Sequence, residues 1–370
     1  MTGVYISFPF CRQKCTYCNF ASGVFPDELR RRYTPALAAE IAAAGLGLAA
    51  DTLYLGGGTP SLMDEREWAT LASALGRRSW DEATLETSPG DVSPERARLW
   101  AAHGIDRVSL GVQSFDPRVA AAAGRKHTPE QVRDEIVILA DAGIRRVNVD
   151  LIAGLAHQTE RDWRESLDWV ERLEVEHASV YMLETDDDSR LGGEIRSGGS
   201  RYGAAAVPDD DAIADFYLLA VERLAAMGLV RYEISSFARP GAESRHNLKY
   251  WTWRPYAGFG ADAHSFDGLW RRSNVRTAAE YVVRVERGEP PVSEAEELDE
   301  DRRRADFLLT GLRRREGVRL PPAEVDELAA RGAELFARGW LERPAPDWLR
   351  LTPAGVLFSN EVFGELCFAD

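Results

Sequence analysis

The chain is poor in thiols and in lysine. Its four cysteines, Cys11, Cys15, Cys18 and Cys367, are spread over 370 residues. That count excludes a disulfide framework, because secreted scaffolds carry many cysteines, usually even in number, in short chains. No apolar leader-like stretch opens the sequence, so the expected setting is reducing and cytoplasmic. Nowhere does an apolar run approach the roughly eighteen residues of a membrane-spanning helix, which leaves only peripheral membrane contact open. The formal charge is -15, and a nucleic-acid surface is not expected because phosphate binding depends on clustered cations. Lysine occurs only at Lys14, Lys126 and Lys249. The remaining basic residues are arginines dispersed along the chain, which reads as compositional bias and not as a local demand. With 45% hydrophobic residues the chain can bury a large core and hold a second, smaller domain.

Against that scarcity, residues 8–20, "FPFCRQKCTYCNF", hold three of the four cysteines. A structural zinc site normally closes its tetrahedron with a fourth Cys or His, and none lies close by in sequence. A C-x-x-C redox pair would use Cys15 and Cys18 but leave Cys11 without a role. Three ordinary thiols in a loop is the plainest alternative. A four-iron cluster explains all three cysteines, and three thiolates leave one iron with an open position for a small molecule. The C-x-x-x-C-x-x-C spacing after a short strand resembles the signature of radical S-adenosylmethionine (SAM) proteins. The resemblance implies that the open iron binds the amino and carboxylate groups of SAM, and that the reduced cluster cleaves it to a 5'-deoxyadenosyl radical.

Short β-branched runs alternate with helical patterns along the first half, the grammar of βα units and a parallel sheet. Strands are predicted at 4–9, 52–56, 84–87, 107–112, 146–152 and 178–183. Helices are predicted at 28–44, 64–76, 94–103, 129–142 and 160–173, with Ser93-Pro94 and Thr128-Pro129 as N-cap and first-turn pairs. The predicted fold is α/β, a partial (β/α)6 barrel of the radical SAM type with a smaller α+β, winged-helix-like C-terminal domain. Ligand chemistry in such architectures gathers at the C-terminal strand ends. "GGGTPS" at 56–61, Glu86, Gln113 and Asp150 fall there, although a glycine-rich turn and solvated strand-end polar residues are the plain alternatives.

"YISFPFC", "GGGTPS", "LETSPG", "GVQSF", "GRKH" and "NVDLIAGL" follow the order of the oxygen-independent coproporphyrinogen oxidase family. Within it the chain is most similar to the HemW-type haem chaperones. The resemblance implies that Cys11, Cys15 and Cys18 hold the cluster and that Tyr5, Tyr17, Phe20, Gly57, Gly58, Thr59, Glu86, Gln113, Arg125 and Asp150 line the cofactor site. Backbone near Gly57–Thr59 suits the methionyl amine, Arg125 a carboxylate and Glu86 ribose hydroxyls. The oxidases have a further cysteine where this chain has Phe20. "HNLKYW" at 246–251 matches the HNxxYW signature of the chaperones and "GADAHSF" resembles a motif that follows it. His246 is then a candidate axial haem ligand, with Tyr250 and Trp251 as aromatic walls, against the alternative of a histidine hydrogen-bonded within an aromatic cluster. Four positions depart from the family pattern. Ser7 stands for a histidine, Asn19 for an aspartate, Ala156 for a proline and Asp262 for a glycine.

Expected boundaries are 1–205 for the barrel with the cluster and SAM site, 206–295 for a barrel-extending segment carrying HNLKYW, and 296–370 for the C-terminal domain. "LETDDDSRLGG" at 183–193 reads as a solvated acidic loop, and Cys367 as a lone thiol near a helix end. The expected activity is haem carriage to an acceptor protein, with a flavodoxin or ferredoxin as electron donor. The alternative is a radical enzyme acting on a porphyrinogen. On this reading, anaerobic reconstitution yields a four-iron cluster that is lost in Cys15→Ala and kept in Cys367→Ala. Iron and sulfide analysis checks it, and the reverse pattern would refute the ligand set.

Overall fold

A strand whose residues alternate apolar and polar must bury one face against helices and turn the other inward. A computed structural model describes residues 2–45, 50–185 and 188–368, so Asp186 and Asp187 of the acidic run lie outside the described residues. All six predicted strands are present: β1 (Thr2–Phe8), β2 (Ala50–Gly57), β3 (Glu82–Thr87), β4 (Arg107–Gln113), β5 (Arg146–Ala153) and β6 (His177–Met182). They pair in parallel in sequence order. Right-handed crossovers in sequential order place the connecting helices on one side of the sheet, as a partial barrel requires. These are α1 (Asp27–Ala44), α2 (Glu65–Leu75), α3 (Pro94–Ala102), α4 (Pro117–Ala122), α5 (Pro129–Asp141) and α6 (Glu160–Leu173). Ser93 and Thr128 cap α3 and α5 by accepting from the backbone N–H three residues on, as predicted. Val4, Ile6, Leu55, Leu85, Val108, Leu110, Val149 and Leu151 are fully buried in the core. Their alternates, Tyr5, Tyr54, Glu86, Ser109 and Asp150, form the polar inner face.

The sheet runs on past the six. Following α7 (Arg190–Arg196) and α8 (Asp210–Ala226), the short β7 (Val230–Arg231) and β8 (Ser236–Ala238) add antiparallel beside β6. Helix α9 (Arg245–Trp251) comes next, and then β9 (Tyr256–Phe259) pairs parallel with β1. Strands β10 (His264–Phe266), β11 (Trp270–Asn274) and β12 (Val292–Glu297) extend that edge antiparallel, with α10 (Ala278–Glu286) between the last two. The C-terminal elements are α11 (Glu300–Leu312), β13 (Val318–Arg319), α12 (Pro322–Arg331), α13 (Ala333–Ala337), β14 (Leu341–Glu342), β15 (Trp348–Leu351), α14 (Pro353–Leu357) and α15 (Ser359–Cys367). Strands β14 and β15 form the predicted hairpin around Pro344 and Pro346, within a small sheet ordered β13-β15-β14.

The join between β1 and the added strands rests on one carboxylate. Glu40 of α1 accepts from Gly260 N at 2.9 Å, from Asn274 Nδ2 at 2.7 Å and from the Tyr281 hydroxyl. Beside it, Tyr33 Oη donates to Ser7 O and accepts from Ala261 N, both at 2.8 Å. Gly260 has φ +96°, and a Cβ there would lie 2.5 Å from Ser7 O, so only glycine fits. Glu40→Ala strands three donors at once and is expected to destabilise the fold by about 3 kcal/mol in denaturant unfolding. Glu40→Gln, which keeps the acceptor oxygen, should cost clearly less.

Candidate active site at the barrel mouth

The loop after β1 is held on several sides. Cys11 N donates to Gly23 O at 2.8 Å and Gly23 N to Pro9 O at 2.9 Å, closing its base. Thr59 N donates to Phe10 O at 2.9 Å, Leu191 N to Thr16 O at 2.9 Å, and Gln13 Nε2 to Gly124 O. Arg12 pairs with the buried carboxylate of Asp91 at 2.9 Å. The loops after β2, β3 and β4 and the start of α7 therefore fix the loop that carries the cysteines. Its three thiols are free and half-buried. Burial pushes the Cys11 thiol up, opposed by hydrogen bonds to Thr59 and Ser22, while the neighbouring Cys18 and Cys15 add to the rise. Among the described residues no three His, Cys, Asp or Glu side chains converge on a single metal ion. One loop offering three soft thiol ligands suits an iron–sulfur cluster, whose irons are held by cysteine thiolates.

Behind the loop, Arg125 donates from Nη1 to Ser88 Oγ at 2.8 Å and from Nη2 to Tyr17 Oη at 3.2 Å. Its Nε is buried and has no partner. A buried guanidinium with a vacant donor is a receptor for an anionic oxygen, the chemistry of a ligand carboxylate. Gln113, buried at the end of β4, has φ +70°, and the pairing of β4 with β5 shifts register there. A Cβ on Gly111 would come within 3.0 Å of Gln113 Nε2 and 3.5 Å of Arg125 Nη2, so a bare backbone keeps both side chains in place. Strain in a non-glycine residue is tolerated where the surroundings over-determine it, as at binding sites.

Two carboxyls occupy the inner face. Glu86 accepts from Tyr54 Oη at 3.0 Å, and burial, followed by the charge of Asp150, raises it to about 7 against partial relief from Tyr54 and Gly57 N. Asp150 accepts from Ser109 Oγ at 2.9 Å and Asn148 Nδ2 at 2.7 Å, and burial raises it as well. Tyr5 stacks on Tyr54 with ring centroids 6.1 Å apart.

The glycines of "GGGTPS" have two kinds of task. A Cβ on Gly58 would lie 2.7 Å from Phe8 O, and one on Gly57, where φ is +94°, would lie 2.8 Å from Ser7 Oγ, so both are demanded by packing against β1. A Cβ on Gly56 would press on the Glu86 carboxyl at 3.0 Å. Gly56 lay within the quoted motif, whereas Tyr54 is an inner-face residue that the motif reading passed over, and so is Tyr181. The last lies on the inner face of β6 and is 44% exposed to the concavity, a position that counting by twos from Ser179 would have found.

Phe20, two residues after Cys18, is 66% exposed, and its backbone carbonyl accepts from Lys14 Nζ at 3.2 Å. His246 stands at the opposite end of the barrel, where the strands begin. Fully buried, it bonds through Nδ1 to Thr52 Oγ1 at 3.0 Å and through Nε2 to Tyr250 Oη at 2.9 Å. Burial, then the charge of Lys249, holds its imidazole down at about 3, so it is neutral. The expected axial ligand has no ring nitrogen free for iron in this conformation, because the aromatic and hydroxyl cluster uses both. Asp262 adopts φ +60°, a conformation that glycine takes freely and aspartate tolerates. Ser7 is buried and its carbonyl accepts from Tyr33 Oη at 2.8 Å, and Ala156 sits where a Cβ on Gly203 would lie 2.7 Å from it.

The Radical SAM superfamily model matches residues 5–170. Heme chaperone HemW of Mycobacterium tuberculosis is 35% identical over 97% of this chain and 93% of its own length. Heme chaperone HemW of Bacillus subtilis is 29% identical over 98% of each. Among solved structures, coproporphyrinogen III oxidase (HemN) from Escherichia coli, a radical SAM enzyme, superposes with a TM-score of 0.86 at 20% identity, covering 99% of this chain and 90% of that one. That likeness carries the fold.

The raised Glu86 has a measurable consequence. Its folded value of about 7 exceeds the ordinary 4.5, so its contribution to stability is complete below about pH 4.5 and is lost as pH climbs through 7. Glu86→Gln removes that loss, and the variant should gain roughly 2 kcal/mol on wild type between pH 5 and pH 8 in chemical denaturation. A pH-independent difference would show that Glu86 is not held in this way.

Proposed function

The chain belongs to the HemW family of the radical SAM superfamily, and from that premise we propose that it binds a four-iron cluster and SAM at the barrel mouth and carries haem to an acceptor protein. Cys11, Cys15 and Cys18 would hold the cluster, which when bound supplies the electron and the open iron for SAM. Arg125 receives the methionyl carboxylate on its unpartnered Nε. Backbone at Gly57–Thr59 takes the amine, and Glu86, steadied by Tyr54, takes ribose hydroxyls. Tyr5, Tyr17, Gln113 and Asp150 line the same concavity. A small flavodoxin or ferredoxin in the cytoplasm would be the electron donor.

The observation that carries the site is the convergence, at one mouth, of a three-thiol loop and a buried guanidinium lacking one partner. The haem cargo is supported by the relatives that carry the name of haem chaperone and align over nearly the whole chain.

Two measurements test the proposal. Arg125→Ala is expected to weaken SAM binding about 10- to 100-fold by calorimetry while cluster content holds, the effect of losing a charge-assisted bond to a carboxylate. Haem titration of the purified protein should show saturable, roughly stoichiometric binding. Turnover of coproporphyrinogen without specific haem binding would overturn the chaperone reading.

A further inference from the structure

The short helix α9 carries the HNLKYW sequence and closes the barrel where the strands start. Glu82, the first residue of β3, accepts from His246 N at 3.0 Å and Ser244 Oγ at 3.3 Å. Asp51, near the start of β2, pairs with Lys249 Nζ at 2.8 Å. A Cβ on Gly3 of β1 would lie 3.0 Å from Lys249 Cδ and 3.1 Å from His246 Cε1, so β1 itself is bare to admit the helix. Outside, Arg313 stacks over Trp251 at 4.4 Å and pairs with Glu233, which joins the helix to the C-terminal domain.

From this floor a connected series of contacts climbs to the mouth. The His246 ring lies 5.3 Å from the Tyr54 ring, and Tyr54 Oη donates to Glu86 Oε1 at 3.0 Å. Tyr5 stacks on Tyr54 from the next strand. His246 is itself set by Thr52 and Tyr250, whose ring meets Tyr256 of β9 edge-on at 4.7 Å. The imidazole is thus the support on which Tyr54, and through it the Glu86 carboxyl, rests.

We propose that α9 is the floor of the barrel and that His246 is a positioning residue for Glu86, acting through Tyr54, and not a ligand to haem iron. The inference rests on the reading of Glu86 as part of the SAM site. It gives the HNLKYW sequence a role in holding the mouth in shape from below. Packing against a fixed imidazole holds the direction of the Tyr54 side chain, and that direction sets where its hydroxyl meets Glu86.

The test uses the reconstituted full chain and compares His246→Ala, His246→Gln, Tyr54→Phe and the double variant His246→Ala/Tyr54→Phe. SAM affinity is read by calorimetry, the cluster by iron content and haem by its visible absorption. His246→Ala should weaken SAM binding about tenfold with the cluster retained. His246→Gln, which restores a donor and an acceptor, should recover most of it. The double variant should be no worse than the stronger single one, because both act through one contact. Wild-type SAM affinity in His246→Ala overturns the proposal, and loss of haem alone in that variant returns the imidazole to the iron. Should His246→Ala not fold, Tyr250→Phe removes a single hydroxyl, and the expected drop in SAM affinity is about threefold, with no drop counting against the proposal. If wild type binds no SAM, the site reading fails separately. The positioning then shows as a displaced pH midpoint of the Glu86 stability contribution in the His246 variants, and an unmoved midpoint overturns it.

Discussion

The inner face of the parallel strands is polar, and the side chains on it must find their hydrogen bonds within the barrel. The helices cover the other face with a close-packed apolar layer, so a donor or acceptor left over inside has nowhere else to turn. An unpaired buried polar group costs about 1–3 kcal/mol. The network is accordingly dense. Asn148 serves Asp150, Ser109, Ser179 and His177, and His177 passes the series on to Tyr232. Glu82 and Arg107, among the most buried ionisable groups, face each other at 3.5 Å near the floor. Several buried side-chain atoms are left without a partner, Thr84 Oγ1 and Arg107 Nη2 on the sheet among them, and so is Nε of Arg125, whose guanidinium also bonds Tyr17 of the cysteine loop.

The carboxyls at the mouth follow from the same constraint. Two anions side by side in a poorly solvated cavity cannot both ionise without cost, and their environments separate them. Asp150 accepts two side-chain hydrogen bonds that favour the charged form, from Ser109 and Asn148, whereas Glu86 accepts one from Tyr54. Glu86 is thus the member left near neutrality. A carboxyl poised there can accept from or donate to a ribose hydroxyl without binding a counter-ion. The cysteine loop is held by neighbouring loops and by the Arg12–Asp91 pair, so its thiols are presented by a preorganised frame.

Two of the positions where the chain leaves its family pattern have local explanations. Asp262 occupies a left-handed turn in the loop that Glu40 and Tyr33 pin against β1. Ser7 is small enough to sit beside Gly57, where a Cβ would already lie 2.8 Å from its Oγ.

What the sequence determined by itself was short in range. Cysteine spacing, the alternation of six short β-branched runs with helical patterns, and the Ser and Thr caps depend on residues close in sequence, and local chemistry is enough to read them. It also placed Glu86, Gln113 and Asp150 on strands, because strand ends follow from punctuation by glycine and proline. It could not tell that HNLKYW closes the floor, because the partners of His246 include Thr52, 194 positions away. Nor could it tell that Gly58 serves packing while Gly56 makes room for a carboxyl, or that Arg125 keeps one donor free. Those outcomes depend on which side chains meet after the sheet curls, and only the closed barrel decides which polar groups are satisfied and which are left for a ligand.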